Sequence, residues 1–409
     1  MCMEFLKKNV TSFKNILKKT LPSKLFDIIC RFAYNLNLIV YSLALSHTGR
    51  RTRKLIRENI DVVKDFRVSM TQMLFDYGIA KYPINTYVDS YNNKSVKPVK
   101  LADKLFSKTS PTVLCVVKND SVKIKTQLEY HRRIGIKHFT YIDNISTDGI
   151  FEWLLEQDDV SLFRTNEKFN DVVKESWKKQ ATDMLGYEKW YLLLDPDEFF
   201  IYPGIEDNPI HKYIDFLEKR KIKTVPSLMV DMYSKEGLFK PVSDDFMKDY
   251  CFFDTDTYRR RILRHYQFMD KGPRWRLFSG NDADVLPVLT KYALIKLSKS
   301  MVMSTHRNHP NKLNFRTSGA ASFLLHYKFL PYEKLKYDEF AKHNGINSLA
   351  HGDYRQMAKV FNNNPDLSFY FDGSQKFNNS MDLININVID KKFFKIFFEY
   401  SKKTSTYRR

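Results

Sequence analysis

The chain predicts an α/β fold: a mixed, mainly parallel sheet flanked by helices, with a helical appendage before it and a helical region after it. Three observations predict it. Short β-branched or apolar runs alternate with helix-like segments between Thr112 and Leu194. Acidic and amide residues fall at the carboxyl ends of those runs, where such sheets bind ligands. The 409 residues are 43% hydrophobic and 28% charged, which supports a sizeable core and excludes both a disordered tail and an integral membrane bundle.

From the amino end, the first feature is charge. Lys and Arg number 67 against 47 Asp and Glu, a net +20 that attracts nucleic acid, acidic lipid headgroups or phosphorylated small molecules. Residues 1–70 hold 14 Lys and Arg against five Asp and Glu, so nine of the twenty excess charges sit there. Leu6, Val10, Phe13 and Leu17 recur at helical spacing, with Lys7, Lys8, Lys14, Lys18 and Lys19 mostly off that stripe. Such a basic amphipathic helix suits an anionic bilayer surface, or else packs on its own domain. Leu25–Ser46 is apolar but contains Asp27 and Arg31, and a charge at a helix centre costs about 2.5–3.5 kcal/mol, so a membrane span is not expected. No cleavable signal pattern occurs. Cys2, Cys30, Cys115 and Cys251 lie far apart, which excludes a disulfide scaffold or zinc ribbon and fits a reducing, cytoplasmic compartment. Residues 1–70 are thus expected to be a helical appendage that suits a peripheral place on the inner membrane face, and 71–110 a lead-in.

Thr112–Val117 is the first strand, ending at Lys118-Asn119-Asp120, and Val122–Ile134 a helix stopped by Gly135. His138–Ile142 is a second strand, followed by Asp143-Asn144-Ile145-Ser146-Thr147-Asp148-Gly149. Ile150–Gln157 is a helix, Val160–Phe163 a strand and Lys174–Gly186 a helix. Trp190–Leu194 is a strand that runs straight into Asp195-Pro196-Asp197-Glu198-Phe199. Residues 331–409 read as helices, closing on Phe393, Phe394, Phe397 and Phe398 among lysines.

Carboxylates directly after a buried strand concentrate charge where repulsion and desolvation are costly. A divalent cation relieves that cost, and carboxylate oxygens favour Mg²⁺ or Mn²⁺, whose shells substrate phosphates commonly complete. Asp-Pro-Asp is also an ordinary turn sequence, so the strand in front of it gives the motif its weight.

The ordered set Val116-Val117-Lys118-Asn119-Asp120, Glu129-Tyr130-His131, Asp143 to Gly149 and Leu194-Asp195-Pro196-Asp197-Glu198-Phe199 resembles family 2-type glycosyltransferases. More narrowly, it resembles the bacterial branch with D-N-x-S-T-D-G and D-x-D-E-F motifs. The likeness continues through Asp231-Met232-Tyr233, Gly272 to Phe278, Leu289-Thr290-Lys291 and Leu324 to Lys328, covering roughly residues 110–385. The first motif reads Lys-Asn-Asp where many relatives have Asn-Glu. The resemblance implies a GT-A (Rossmann-like) catalytic domain over 111–330 with a C-terminal helical extension over 331–409. It implies transfer of a sugar from a nucleotide-sugar donor, a UDP-sugar first, usually with inversion, to a cell-surface polysaccharide or lipid-linked glycan. It places Asn119 and Asp143, with Asp148 nearby, on base and ribose, and Asp195 and Asp197 on metal and diphosphate.

The residue chemistry gives further candidates. An inverting transfer needs an acceptor base, a neutralised leaving diphosphate and a held donor. Asp231, after the apolar Leu228–Val230, is the first choice for base, with a turn-capping role as the alternative; Glu198 and Glu236 are rivals. His326 completes the metal shell or is a satisfied core histidine. Arg274, Arg276 and Lys291 suit phosphate oxygens, and Lys179 and Gln180 precede the metal strand on a helix. Trp177, Trp190 and Trp275 stack on sugars or, more commonly, pack in cores. No P-loop, G-x-G-x-x-G, nucleophile elbow or H-E-x-x-H occurs. A nucleotidyl- or phosphotransferase would also want Asp-x-Asp and Mg²⁺. A nucleic-acid-binding role rests on charge alone, without a reading motif, and nucleic acid is not an expected partner.

Overall fold

The computed structural model describes residues 84–102 and 110–406, except 241–242, 264–265, 280–286, 300, 304–305, 307, 310–314, 316, 343–348 and 365. The basic appendage expected over 1–70 and half of the lead-in lie outside the described residues. Helix α1 (Ile84–Asn93) and edge strand β1 (Lys97–Lys100) precede the alternating region. That region runs β2 (Thr112–Val117), α2 (Ser121–Arg133), β3 (His138–Asp143), α3 (Ile150–Leu155), β4 (Val160–Arg164), α4 (Asp171–Leu185) and β5 (Lys189–Leu194). Each expected strand and helix is present, with bounds moved by a few residues. The start of α4 moves most, because Asn170 caps it: its Oδ1 accepts from the Val172 and Val173 amides at 3.0 and 2.9 Å.

These strands form a sheet in the order β1-β4-β3-β2-β5-β12, where β12 is Leu294–Leu297. The four central strands are mutually parallel, while β1 and β12 pair antiparallel at the edges. The sheet is therefore mixed and mainly parallel, with helices on both faces. Sequence alternation explains why both faces are covered. Val113, Cys115 and Val117 of β2 point into a core with Ile124 and Leu128 of α2, whereas Leu114 and Val116 meet Val173, Trp177 and Ala181 of α4. From β2 the chain builds outward through β3 and β4 on one side, then returns to place β5 on the other. The order thus reverses between β2 and β5, and their carboxyl ends flank the crevice where open α/β sheets bind ligands.

A second sheet grows from that point. Strand β6 (Glu198–Ile201) begins three residues after β5, so Asp195-Pro196-Asp197 joins the two sheets. Helix α5 (Ile210–Lys219) follows, then β7 (Ser227–Asp231), a short helix α6 (Phe246–Asp249) and β8 (Phe252–Phe253). The hairpin β9 (Tyr258–Leu263) and β10 (Tyr266–Lys271) leads into α7 (Gly272–Phe278) and β11 (Thr290–Lys291). After the short pair β13 (Val302–Met303) and β14 (Asn308–His309) comes β15 (Ser322–His326). The second sheet has the order β11-β7-β15-β6, with β15 parallel to β7 and antiparallel to β6. Its register sets His326 beside Glu198 on one side and Asp231 on the other.

The carboxyl-terminal region holds three helices, α8 (Lys334–Lys342), α9 (Leu349–Asn363) and α10 (Lys391–Thr406). On α10, Phe393, Phe394 and Phe397 are buried while Lys391, Lys392, Lys395, Lys402 and Lys403 are exposed. Phe397 stands edge-on to Tyr213 and Phe393 to Phe216, at 5.2 and 5.4 Å, both partners on α5. The aromatic cluster closes the core, and the lysines form the helix's solvated face. No helix among the described residues is long and apolar enough to cross a membrane.

Candidate functional site

The turn Asp195-Pro196-Asp197 hangs between two sheets, and one side chain staples it. The Gln127 amide on α2 donates to the carbonyls of Asp195, Glu198 and Pro196 at 2.8, 3.0 and 3.2 Å. His131, one turn later, donates from Nδ1 to the Gln127 carbonyl at 2.7 Å and accepts the Phe200 amide at Nε2, 3.1 Å away. It is therefore neutral, and burial holds its pKa down at about 4.

Around this turn the two aspartates part company. Asp195 receives Lys174 of α4 at 3.3 Å on Oδ1 and Lys291 of β11 at 2.6 Å on Oδ2. Burial would raise its pKa, but Lys174, Lys291 and Lys178 outweigh burial and hold it well below the carboxylate range. Lys291 also reaches Glu198 Oε1 at 2.5 Å, and the second Glu198 oxygen accepts the Asp195 amide at 2.9 Å. Burial, with Asp195 and Asp197 close by, raises Glu198 in spite of Lys291.

Asp197 faces the other way, towards β15. His326 Nε2 lies 3.3 Å from Asp197 Oδ2, and Nδ1 lies 2.6 Å from Asp231 Oδ1. Arg274 Nε donates to the other Asp231 oxygen at 2.8 Å. Burial would raise Asp231, but Arg274 and His326 bring it down to about 2, so it is an ionised acceptor and the His326 Nδ1 carries a proton. Burial lowers His326, yet Asp197 and Asp231 outweigh that and leave it raised. Asp197 is held well below its usual value, with His326 and Lys123 overcoming burial.

Asp197, Glu198 and His326 each offer a ligand atom, and these atoms lie within 4.8 Å of one another. Two carboxylates and an imidazole suit Mn²⁺ or another borderline divalent ion, and Mg²⁺ less well. A carboxylate on the far nitrogen of a ligating histidine is the usual means of fixing its tautomer and aim, and Asp231 has that position. The donor set therefore fits a divalent cation. It differs from the expected Asp195, Asp197 and His326 set by exchanging Asp195 for Glu198.

The other expected residues fall into two groups. Asn119, Asp143 and Asp148 lie at the carboxyl ends of β2 and β3, where their side chains bind backbone amides within and across the two loops. Asn119 Oδ1 accepts the Thr147 amide at 2.7 Å, Asp143 accepts the Ser146 amide at 3.1 Å and meets Arg164 at 3.1 Å, and Asp148 accepts the Ser121 amide at 2.8 Å. Asn119 and Ile145 have φ of +53° and +57°; for β-branched Ile145 this is an unfavourable backbone, held by the interlocked loops. The second group lies apart from the acidic turn. Lys179 binds Asp183 at 2.8 Å and the Tyr187 hydroxyl. Gln180 holds the Val96 amide at 3.0 Å and the Ser90 carbonyl at 2.9 Å, tying α1 and β1 to α4. Arg276 forks onto Asp254 at 3.0 and 2.9 Å, and Glu236 is exposed. Trp177 and Trp190 are buried, their indole N–H groups donating to Glu167 and Glu218 at 2.7 and 2.8 Å, while Trp275 is half-buried beneath Lys271.

Three contributors escaped sequence reading: Gln127, Lys174 and Lys123. Gln127 carried a signal, a polar residue on the stripe of Ile124, Leu128 and His131 that α2 buries. Lys123 is buried between Asp120 at 2.7 Å and Glu333 at 2.5 Å, a pairing 210 residues apart that no local pattern reveals.

No protein-family model matches the chain, and no curated protein does. Among solved structures, S. aureus TarS 1–349 is similar over 62% of this chain and 72% of its own, at 12% identity and a TM-score of 0.26. An apo UDP-glucose pyrophosphorylase is similar over 62% of this chain and 99% of its own, at 7% identity and a TM-score of 0.23. Likeness this slight says nothing of what the chain does.

Proposed function

We propose that the chain is a transferase acting on a nucleotide-diphosphate sugar, specifically a divalent-cation-dependent glycosyltransferase of the GT-A type. One observation carries the reading: the Asp195-Pro196-Asp197-Glu198 turn leaves the strand at the reversal of sheet order and meets His326 there. In this reading Asp197, Glu198 and His326 hold Mn²⁺ or Mg²⁺, which would neutralise charge on the departing diphosphate. Asp231 positions His326, and Gln127 keeps the turn in place. The loops of Asn119, Asp143 and Asp148 frame the nucleotide side of the crevice. The acceptor is proposed from the motif resemblance to be a cell-surface polysaccharide or lipid-linked glycan. The basic charge of residues 1–70 supports a peripheral membrane contact there.

A nucleotidyltransferase is the second reading, favoured by the lysines packed around the turn, which suit a leaving pyrophosphate. Nucleotide sugars incubated with Mn²⁺, with and without pyrophosphate, separate the two by product mass, since hexose plus nucleoside diphosphate differs from nucleoside triphosphate plus sugar phosphate. The sugar-transfer reading expects hexose release that chelation and Asp197→Ala both abolish. Release surviving both would remove the cation from the account.

A further inference from the structure

The two aspartates of the turn are engaged by different partners. Asp197 belongs with Glu198 and His326, whose ligand atoms cluster. Asp195 is outside that group and lies between two ammonium groups, Lys174 at 3.3 Å and Lys291 at 2.6 Å. These lysines arrive from separate elements, α4 and β11, so their convergence is a product of the fold and not of one basic segment. Their side chains are only 9% and 6% exposed, whereas Asp195 is 27% exposed. A ligand approaching the turn thus meets the carboxylate first and the two cations directly behind it.

We propose that Lys174 and Lys291 form a phosphate subsite that needs no metal ion, in which the Asp195 carboxylate occupies the place a phosphate takes. The proposal rests on the nucleotide-sugar reading and deepens it by naming what meets the diphosphate. An ammonium carries three donors. Lys174 gives one to Asp195, and Lys291 reaches Asp195 and Glu198, so each can take a phosphate oxygen as Asp195 swings towards solvent. The lysine pair and the Asp197–Glu198–His326 group adjoin across a three-residue turn. Two adjoining loci for anions, one of lysines and one of a cation, select a diphosphate over a single phosphate. Asp195 is then an internal anion that keeps two buried lysines paired and spaced until the ligand arrives. An unpaired buried ammonium would otherwise be costly.

The test is calorimetric titration of the full chain with inorganic pyrophosphate and with orthophosphate, in excess chelator at fixed salt. Pyrophosphate should bind under chelation, and its margin over orthophosphate should widen when Mn²⁺ replaces the chelator and supplies the second locus. Lys174→Met and Lys291→Met should each weaken it roughly ten- to a hundredfold, the loss of one charge-assisted hydrogen bond. Lys392→Met, on the solvated face of α10, controls for general positive charge and should leave binding unchanged. Asp195→Asn should tighten pyrophosphate binding, because the competing anion is gone. The proposal is overturned if pyrophosphate fails to bind under chelation, if Lys392→Met weakens it as much as the buried lysines do, or if Asp195→Asn abolishes it. Should either methionine variant lose its thermal transition, Asp195→Asn decides. Pyrophosphate binding without turnover of any nucleotide sugar would keep this subsite and sink the sugar-transfer reading. Turnover combined with strictly cation-dependent binding would do the reverse.

Discussion

Replacing Asp231 by Asn separates a positioning residue from a catalytic base. The carboxylate accepts from Arg274 Nε at 2.8 Å and from His326 Nδ1 at 2.6 Å. Because Asp231 can only accept, the Nδ1 proton is fixed and Nε2 is turned to Asp197. In Asp231→Asn the amide must choose. Arginine donates only, so the amide oxygen stays with Arg274 and the amide NH₂ faces His326. Nδ1 then becomes the acceptor, and the proton moves to Nε2, the nitrogen meant for the cation. Loss of such a supporting partner typically costs ten- to a hundredfold in metal affinity, about 1.4–2.7 kcal/mol. Asn keeps one hydrogen bond to Arg274, so the stability loss should stay below the roughly 3–5 kcal/mol of a broken buried ion pair. Mn²⁺ titration by calorimetry, with urea unfolding of the same protein, reads both quantities. A folded variant that binds Mn²⁺ within about twofold of wild type would refute the tautomer argument.

Acid lability should centre on buried neutral histidines. His131 and His138 both have pKa values lowered by burial from 6.5 to about 4. The unfolded chain binds more protons between those values, so stability falls as pH drops from about 6.5 towards 4, by up to roughly 3 kcal/mol for each group. Urea midpoints that stay flat over that window would contradict this. Gln127→Ala removes the staple on three carbonyls and should cost about 1–3 kcal/mol and weaken Mn²⁺ binding; an unchanged Mn²⁺ affinity would mean that the turn holds itself. At Gly319 an added Cβ would come within 2.2 Å of the Val388 carbonyl oxygen, so Gly319→Ala should cost on the order of 2–4 kcal/mol, and a loss below about 0.5 kcal/mol would show that the 317–321 and 388–390 segments separate easily.

The first sheet was legible because its signals are local. Each strand is a short apolar run, each helix has its own stop, and alternation of the two leaves few topologies. The acidic turn was legible for the same reason, since three carboxylates next to Trp190–Leu194 stand out in sequence. Partner choice was not legible. That Asp195 meets Lys174 and Lys291 while Asp197 meets His326 depends on how α4, β11 and β15 return to the turn from 21, 96 and 129 residues away. Lys179 and Gln180 illustrate the same point. They sit five and six residues past Lys174 on α4, on a different face, and the helix carries them to α1 and the Tyr187 side instead of the turn. Arginine identity alone likewise did not distinguish Arg274, which supports Asp231, from Arg276, which is locked onto Asp254.

The central question is whether the acidic turn and His326 together grip a divalent ion. Pulsed electron paramagnetic resonance of the Mn²⁺-loaded protein answers this by detecting nitrogen coupled to the metal. The expected spectrum shows coupling from one imidazole nitrogen, lost in His326→Gln, with Mn²⁺ binding itself lost in Asp197→Ala. Mn²⁺ bound with no coupled nitrogen, or bound equally well by both variants, would place the ion elsewhere and leave the turn without its proposed purpose.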